Sequence, residues 1–106
     1  MGGALRRGEL WLAEVGRKTR PVLLLTRSEV LDVRDLVTVA EITTSIRGLA
    51  AEVGIDHVEA GLERPSAINC DGLHTITQAS LTGPIGRVGD EIMRKVCSAI
   101  SYALGG

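Results

Sequence analysis

Residues 20–26 read Arg-Pro-Val-Leu-Leu-Leu-Thr, and residues 37–48 read Val-Thr-Val-Ala-Glu-Ile-Thr-Thr-Ser-Ile-Arg-Gly. Both stretches are rich in aliphatic and β-branched residues, a pattern that is typical of β-strands. A fixed cation, Arg20, opens the first strand, and a run of three hydroxyl residues at 43–45 closes the second. If the two strands are neighbours in a sheet, Arg20 and Thr43 could converge on one phosphate group.

Further short strands are predicted on both sides of this pair. Residues 9–15 alternate polar and apolar side chains, which indicates a half-buried strand. Pro21 is expected to begin its strand, because proline cannot donate a hydrogen bond inside a ladder. The other expected strands cover residues 36–44, 51–55, 67–70, 73–77 and 85–88. A turn is predicted at Asp71-Gly72, a short helix from Ser28 to about Asp35 and a single helical turn at residues 78–81.

The last predicted element is an amphipathic helix over residues 90–104. Asp90 and Glu91 fall in its first turn, where the helix dipole favours negative charge, and Gly105 follows its last turn as a glycine cap. Its apolar stripe contains Ile92, Val96, Ile100 and Ala103, widened by Met93, Cys97 and Leu104. Short strands followed by one helix predict a mainly β, α+β fold: a single domain over residues 1–106, built as a small barrel or bent antiparallel sheet with the helix packed on it.

Composition narrows the possible functions of this chain. It has 106 residues, and its only aromatic residues are Trp11 and Tyr102, which argues against a platform of stacked rings for single-stranded nucleic acid. Cys70 and Cys97 are far apart and match no metal-binding or disulfide pattern, so we expect two reduced, mostly buried cysteines and predict neither a metal nor a cofactor. The N-terminal residues lack the apolar segment of a signal peptide, and no stretch is long enough to span a bilayer, so the chain is expected to be cytoplasmic.

The charge distribution is uneven although the net charge is only −1. Residues 1–27 carry six cations against two carboxylates, whereas residues 28–63 carry two cations against eight carboxylates. This asymmetry could produce one local positive groove beside an acidic region, or a mixed surface without a functional field. Charge alone leaves both interpretations open.

The two strand segments, together with Gly8-Glu9-Leu10-Trp11 and Ile85-Gly86-Arg87-Val88, resemble the MazF/PemK toxin family over roughly residues 6–104. The resemblance implies an SH3-like small barrel with a C-terminal helix. It also implies an mRNA interferase, which is a sequence-specific, ribosome-independent endoribonuclease of a type II toxin–antitoxin system.

The resemblance implies catalytic roles for Arg20 and Thr43. Arg20 stands immediately before the proline of the first strand segment, and Thr43 follows Ala-Glu-Ile at residues 40–42. The guanidinium is a permanently charged planar fork, suited to stabilising charge on phosphoryl oxygens. The residues by themselves also allow Arg20 to be a solvated strand-end cation and the hydroxyls to cap a turn. Glu41 departs from the family pattern, and it needs a partner if it faces inward.

A second family signature corresponds to residues 66–76, which in relatives line the RNA groove. His74 occupies a position where relatives often have Arg or Lys, and a histidine can act as an acid or a base near neutral pH. The alternative is that His74 is an ordinary surface residue. The predicted substrate-binding residues are Thr44, Ser45, Arg47, Ser66, Asn69, Asp71 and His74.

The predicted reaction uses the 2′-hydroxyl of the RNA and no metal ion, because the sequence has no carboxylate cluster with metal-binding spacing. Such cleavage leaves a 2′,3′-cyclic phosphate and a 5′-hydroxyl, the ends for which the family is known. The implied partners are single-stranded RNA (mRNA, with tRNA and rRNA as further candidates), a second copy of the chain in a homodimer, and a MazE-like antitoxin. The general base and the recognised RNA sequence are not identified by the residues.

Two other functions fit the same fold. One is a CcdB-like gyrase poison, which engages its target through a C-terminal segment containing tryptophan. This chain instead ends Tyr102-Ala103-Leu104-Gly105-Gly106 and keeps Arg20 and Thr43, which favours the nuclease. The other is a non-catalytic binding protein on the same scaffold.

Overall fold

The computed structural model describes residues 5–26 and 35–105, in which six antiparallel strands form one sheet followed by a helix. The strands are β1 (Glu9–Val15), β2 (Lys18–Leu24), β3 (Leu36–Thr43), β4 (Glu52–Ile55), β5 (Ser66–Thr77) and β6 (Leu81–Arg87), and the helix is α1 (Asp90–Ala103). A 3-10 turn at Gln78–Ser80 joins β5 to β6, and the strand order is β4-β5-β3-β2-β1-β6. The predicted fold class is confirmed, whereas the helix predicted from Ser28 to about Asp35 lies almost entirely within residues 27–34, which are outside the described residues.

The expectation that Pro21 begins its strand is wrong, because β2 starts at Lys18 and Pro21 lies opposite Leu12 of β1. The hairpin turns through two residues between Val15 and Lys18. Counting outward from such a turn, hydrogen-bonded and non-hydrogen-bonded pairs alternate, so the Leu12–Pro21 pair needs no proline N–H. On the other side of β2, the ladder with β3 begins only at Val22, so proline removes no hydrogen bond there.

β5 is one strand, although the sequence predicted two strands separated by a turn. Asn69 pairs with Glu41 of β3, and the next pair joins Leu73 to Ala40. The intervening residues 70–72 therefore have no partner on β3 and form a bulge, which bends the strand without ending it. Within the bulge, Cys70 N donates to the carbonyl oxygen of Ala51 at 2.8 Å.

The sheet buries apolar side chains on both faces, and the two faces alternate along each strand. The helix face packs against α1 and carries Leu10, Leu23, Ala40, Ile42, Val53, Ile68 and Cys70, with Val96 and Ala99 from the helix. The second face carries Trp11, Ala13, Val22, Leu24, Val37 and Val39. Arg20, Glu41 and Thr43 follow the same alternation onto the second face.

Helix α1 confirms the predicted amphipathic element, but three residues of the predicted stripe, Cys97, Ala103 and Leu104, are exposed. Val96 and Ala99 are buried against the sheet, and Ile92, Met93 and Ile100 pack at the margin of that cluster. Cys97 is exposed, contrary to the expectation that both cysteines are mostly buried. Among the helices of residues 5–26 and 35–105, none is long and apolar enough to cross a membrane.

The loop between β4 and β5 approaches β6 so closely that two glycines are required. A Cβ atom on Gly86 would lie 1.7 Å from the carbonyl oxygen of Ala60, and one on Gly61 would lie 2.2 Å from the carbonyl oxygen of Ile85. Real Cβ atoms never approach so closely. Gly86, which belongs to one of the four segments behind the family resemblance, therefore holds the loop against the sheet.

Candidate active site

Arg20 and Thr43 lie on neighbouring strands and on the same face of the sheet. The ladder between β2 and β3 pairs Val22 with Glu41 and Leu23 with Ala40. Val22–Glu41 is the last pair of this ladder, and Arg20 and Thr43 each lie two residues beyond it on their own strands. The structure therefore places these two predicted residues on the same face of the sheet, just beyond the end of the β2–β3 ladder.

Glu41 contacts both Arg20 and His74. Its Oε1 lies 3.7 Å from Nη1 of Arg20, and its Oε2 makes a short hydrogen bond with Nε2 of His74. The Glu41 side chain is 23% exposed, so its partly buried carboxylate needs these partners. The sequence singled out Glu41 only as a departure from the family pattern, and the three side chains together form what we call the Glu41 cluster.

The bulge in β5 decides which residue meets Glu41. His74 lies opposite Val39, and directly opposed residues of an antiparallel pair share a face, so His74 lies on the second face. Glu41 is two residues beyond Val39 on the same face, which makes it a diagonal neighbour of His74. The two side chains are 33 positions apart in sequence, and their contact depends on the register on this side of the bulge.

A cavity of about 220 Å³ opens beside Thr43 on the second face. Five of its lining residues were predicted for the site: Thr43, Ser45, Arg47, Asn69 and Asp71. Leu49 and Glu52 complete the lining and were not predicted. Oγ1 of Thr43 accepts a hydrogen bond from Ser45 N at 3.0 Å, and Oδ1 of Asn69 accepts one from Asp71 N, also at 3.0 Å. We call this space the Thr43 cavity.

Glu52 fixes the loop that carries Arg47 to the Thr43 cavity. Its Oε1 accepts hydrogen bonds from the backbone N–H groups of Arg47 at 2.9 Å, Gly48 at 2.8 Å and Leu49 at 3.3 Å. The bond from Arg47 is the main reason that the pKa of the Glu52 carboxyl lies below its ordinary value, and the other two bonds add to it. A carboxylate that accepts several backbone N–H bonds is stabilised in its charged form.

Thr44 and Ser66 lie away from the other predicted residues, on a second cavity of about 380 Å³. This cavity is also lined by Leu12, Pro21 and Ile85, which belong to the helix face. The Ser66 hydroxyl is buried and donates to the carbonyl oxygen of Arg64 at 2.8 Å. The sheet therefore separates these two hydroxyls from the Thr43 cavity.

Within residues 5–26 and 35–105, no three His, Cys, Asp or Glu side chains converge as they would to hold a metal ion. The Glu41 cluster contributes one carboxylate and one imidazole. Its third member is a guanidinium, which repels cations.

Comparison with known proteins places the chain among bacterial toxins. The family described as PemK-like, MazF-like toxin of type II toxin–antitoxin system matches residues 6–104. A probable endoribonuclease MazF5 from Mycobacterium tuberculosis is 39% identical over 101 residues, covering 92% of this chain and 91% of the relative. The solved structure of the Mycobacterium tuberculosis toxin MazF-mt6 is 38% identical, with a TM-score of 0.86, and covers 92% of this chain and 96% of its own.

A more distant structure shares the fold. It is an endoribonuclease from a mycobacterial species in complex with its cognate antitoxin, with a TM-score of 0.87 at 24% identity. The match covers 96% of both chains.

Proposed function

Because the chain belongs to the PemK-like, MazF-like toxin family of type II toxin–antitoxin systems and is an endoribonuclease, we propose that it cleaves single-stranded RNA at a phosphate held between Arg20 and Thr43. The observation that carries this proposal is that Arg20 of β2 and Thr43 at the end of β3 lie on one face of neighbouring strands, with the Thr43 cavity beside Thr43. A cation and a hydroxyl on one face of adjacent strands can bind two oxygens of the same phosphoryl group.

In the proposed reaction, the RNA 2′-hydroxyl attacks the adjacent phosphorus and the bond to the 5′-oxygen breaks. Negative charge develops on the non-bridging oxygens, and the Arg20 guanidinium stabilises it. Oγ1 of Thr43 already accepts from Ser45 N, so its hydroxyl hydrogen is free to donate to a phosphoryl oxygen. The products are a 2′,3′-cyclic phosphate and a 5′-hydroxyl, and the guanidinium supplies the positive charge that a metal ion would otherwise provide.

The Thr43 cavity supplies groups for reading the RNA. Asn69 and Asp71 carry an amide and a carboxylate that can pair with base edges, and Arg47 can bind a phosphate. RNA that also contacts Thr44 or Ser66 must pass around the end of β3 to the second cavity. We expect sequence-specific cleavage of mRNA without the ribosome, with tRNA and rRNA as further substrates, in the cytoplasm.

We expect the active form to be a homodimer. Several large apolar side chains are exposed in the single chain: Leu36, Ile46, Leu49, Val58, Tyr102 and Leu104. Burying such side chains between two copies stabilises a small domain. Sedimentation equilibrium at micromolar concentration tests this, and a monomer there would contradict it.

A MazE-like antitoxin is the expected inhibitor, since a mycobacterial endoribonuclease of this fold forms a complex with its cognate antitoxin. A disordered acidic segment could place carboxylates at Arg20, where a phosphate would bind, and order as it binds. Antitoxin and RNA should therefore compete, and Arg20→Ala should weaken both. Unchanged RNA affinity at saturating antitoxin would show that the two sites are separate.

The proposed chemistry is tested by incubating the purified protein with a mixed-sequence RNA in excess EDTA and mapping the ends. Cleavage should continue and leave 2′,3′-cyclic phosphates. Arg20→Ala should lower the rate by about 10²–10³-fold, as expected for a lost donor to a developing oxyanion. Arg20→Lys should also be slow, because an ammonium lacks the planar fork. Loss of all cleavage on chelation, products with 3′-hydroxyl ends, or a fully active Arg20→Ala protein with native circular dichroism would overturn the mechanism.

A further inference from the structure

Resting on that reaction, we propose that His74 accepts the proton of the RNA 2′-hydroxyl and that Glu41 is the positioning residue that holds the His74 ring for this task. Arg20 cannot act as a base, because its guanidinium keeps its proton. The Glu41 cluster contains the one imidazole that the described structure places next to Arg20.

The hydrogen bond to Glu41 selects the tautomer of His74. An ionised carboxylate only accepts hydrogen bonds, so Nε2 must carry a hydrogen to bond with Oε2 of Glu41. In the neutral ring, the lone pair then resides on Nδ1. Among the described residues, none makes a hydrogen bond with Nδ1, and the His74 side chain is 34% exposed, so this nitrogen is available to a substrate.

Glu41 also fixes where the base lies relative to the phosphate site. Arg20 contacts one oxygen of its carboxylate and His74 contacts the other, so the guanidinium and the imidazole are separated by a single carboxylate group. Thr43 is two residues further along β3 on the same face. A phosphate bound by Arg20 and Thr43 therefore brings its neighbouring ribose close to His74.

The bulge of β5 lies beside Glu41 and leaves little room for a side chain at Gly72. A Cβ atom on Gly72 would lie 3.0 Å from Nδ2 of Asn69 and 3.5 Å from Cβ of Glu41. Asn69 pairs with Glu41 across the ladder, so Glu41 has the bulge on its β5 side and Arg20 on its β2 side.

The proposed step conserves protons and bonds. Nδ1 of His74 takes the hydrogen of the 2′-hydroxyl as the 2′-oxygen bonds to phosphorus, and the imidazolium is stabilised by the Glu41 carboxylate. The bond between phosphorus and the 5′-oxygen breaks, and the 5′-oxygen receives a proton from solvent water. His74 then returns its proton to solvent, which restores the neutral ring.

The test is single-turnover cleavage across pH with Glu41→Gln, His74→Gln and the double variant. His74→Gln should lower the rate by about 10²–10⁴-fold, the usual contribution of a general base, and should remove the fall in rate on the acid side of the profile. Glu41→Gln keeps the size of the side chain, but its amide can donate to Nε2 and move the ring hydrogen to Nδ1. We expect a loss of up to about 10²-fold, and the double variant should be no slower than His74→Gln alone. Among the described residues, the charged groups facing His74 are Glu41 and, beyond it, Arg20, so these variants isolate the imidazole.

Matched controls and chemical rescue separate chemistry from folding. His57→Gln and Glu14→Gln change the same residue types outside the site and should keep the wild-type rate and pH profile. Added imidazole should restore part of the activity of His74→Gly, an effect that a structural role would not produce. If His74→Gly fails to fold, the pH profile of His74→Gln serves instead.

The outcomes distinguish this proposal from the reaction on which it rests. If the wild type cleaves RNA and Arg20→Ala does not, but Glu41→Gln and His74→Gln keep the wild-type rate and pH profile, Glu41 and His74 have no such role and the nuclease assignment stands. Failure of the wild type to cleave RNA overturns both.

Discussion

Thr43 and Thr44 are adjacent in sequence but line two different cavities on opposite faces of the sheet. β3 ends at Thr43, and the side-chain alternation of the strand continues into the next residue. Thr43 therefore shares a face with Arg20 and Glu41, whereas Thr44 joins Leu12 and Pro21 on the helix face. This contrast offers two nearly identical substitutions with different expected effects.

Thr43→Ala should lower the rate of the chemical step by about 10²–10³-fold, because it removes a hydroxyl donor from the proposed phosphate site. Thr44→Ala should affect KM more than kcat, since its hydroxyl can contact only RNA that reaches the second cavity. Single-turnover and steady-state cleavage of one oligonucleotide by both variants measures the difference. Equal loss of kcat in the two variants would contradict the assignment of Thr43 to the catalytic face.

Gly86→Ala should destabilise the fold by about 1–3 kcal/mol or more, because the added methyl group would overlap the Ala60 carbonyl oxygen and force the loop away from β6. Gly54→Ala is the matched control. Apart from its two chain neighbours, no described residue has an atom within 4 Å of a Cβ at Gly54, so this change should be neutral or stabilise by up to about 1 kcal/mol. Urea unfolding at one protein concentration measures both, and equal stabilities would refute the close approach.

Acidification should release the loop held by Glu52. The folded-state pKa of this carboxyl is lowered, so its hydrogen bonds contribute stability above the unfolded-state pKa and lose it as pH falls through the lower folded-state value. Backbone amide shifts of Arg47, Gly48 and Leu49, followed by NMR, should change together in that acidic window. The shared transition should vanish in Glu52→Gln and persist in Glu14→Gln. If these amide shifts do not change with pH in the wild type, the Glu52 carboxylate does not hold the loop.

The two cysteines should differ in reactivity toward a thiol reagent at pH 8. Burial, with a smaller contribution from Asp71, raises the pKa of the Cys70 thiol to about 11, so little thiolate forms there. Cys97 is exposed, and its sulfur lies 3.0 Å from Nη2 of Arg7. We expect one fast thiol in the native protein and two after denaturation, with the fast one absent from Cys97→Ser. Two equally fast thiols in the native protein would contradict the burial of Cys70.

Patterns within single segments predicted much of this fold. Alternation predicted β1, aliphatic and β-branched residues predicted β3, and the apolar stripe predicted α1, each within one residue of its observed end. The sequence also placed Arg20 and Thr43 on two separate strand segments, and those strands, β2 and β3, are neighbours in the sheet. The extra length of β5 did not follow, because Asp71-Gly72 is a frequent turn sequence, and only the pairing of the flanking residues with β3 makes it a bulge within one strand.

The Glu41 cluster shows the same limit for the site. In the sequence, Glu41 stood out only as an acidic residue in an apolar strand. This pattern does not predict contact with His74, which is 33 positions away and lies next to a bulge. The position of Thr44, in contrast, could be predicted from the sequence. Consecutive strand residues point to opposite faces, so three consecutive hydroxyls cannot form one cluster. The expectation that residues 43–45 act together did not take this alternation into account.

The hydrogen bonds from the loop to Glu52 have a consequence for how the side chains of this loop can change during evolution. Glu52 holds the loop through the N–H groups of residues 47–49, which every amino acid except proline provides, so the side chains presented at 45–47 can be exchanged while the loop keeps its shape. Gly48 should not be substituted in such variants, because its φ of 71° favours glycine. Under the proposed mechanism, substitutions at 45–47 would change which RNA sequence is recognised, while Arg20 and Thr43 would keep the chemistry of cleavage unchanged.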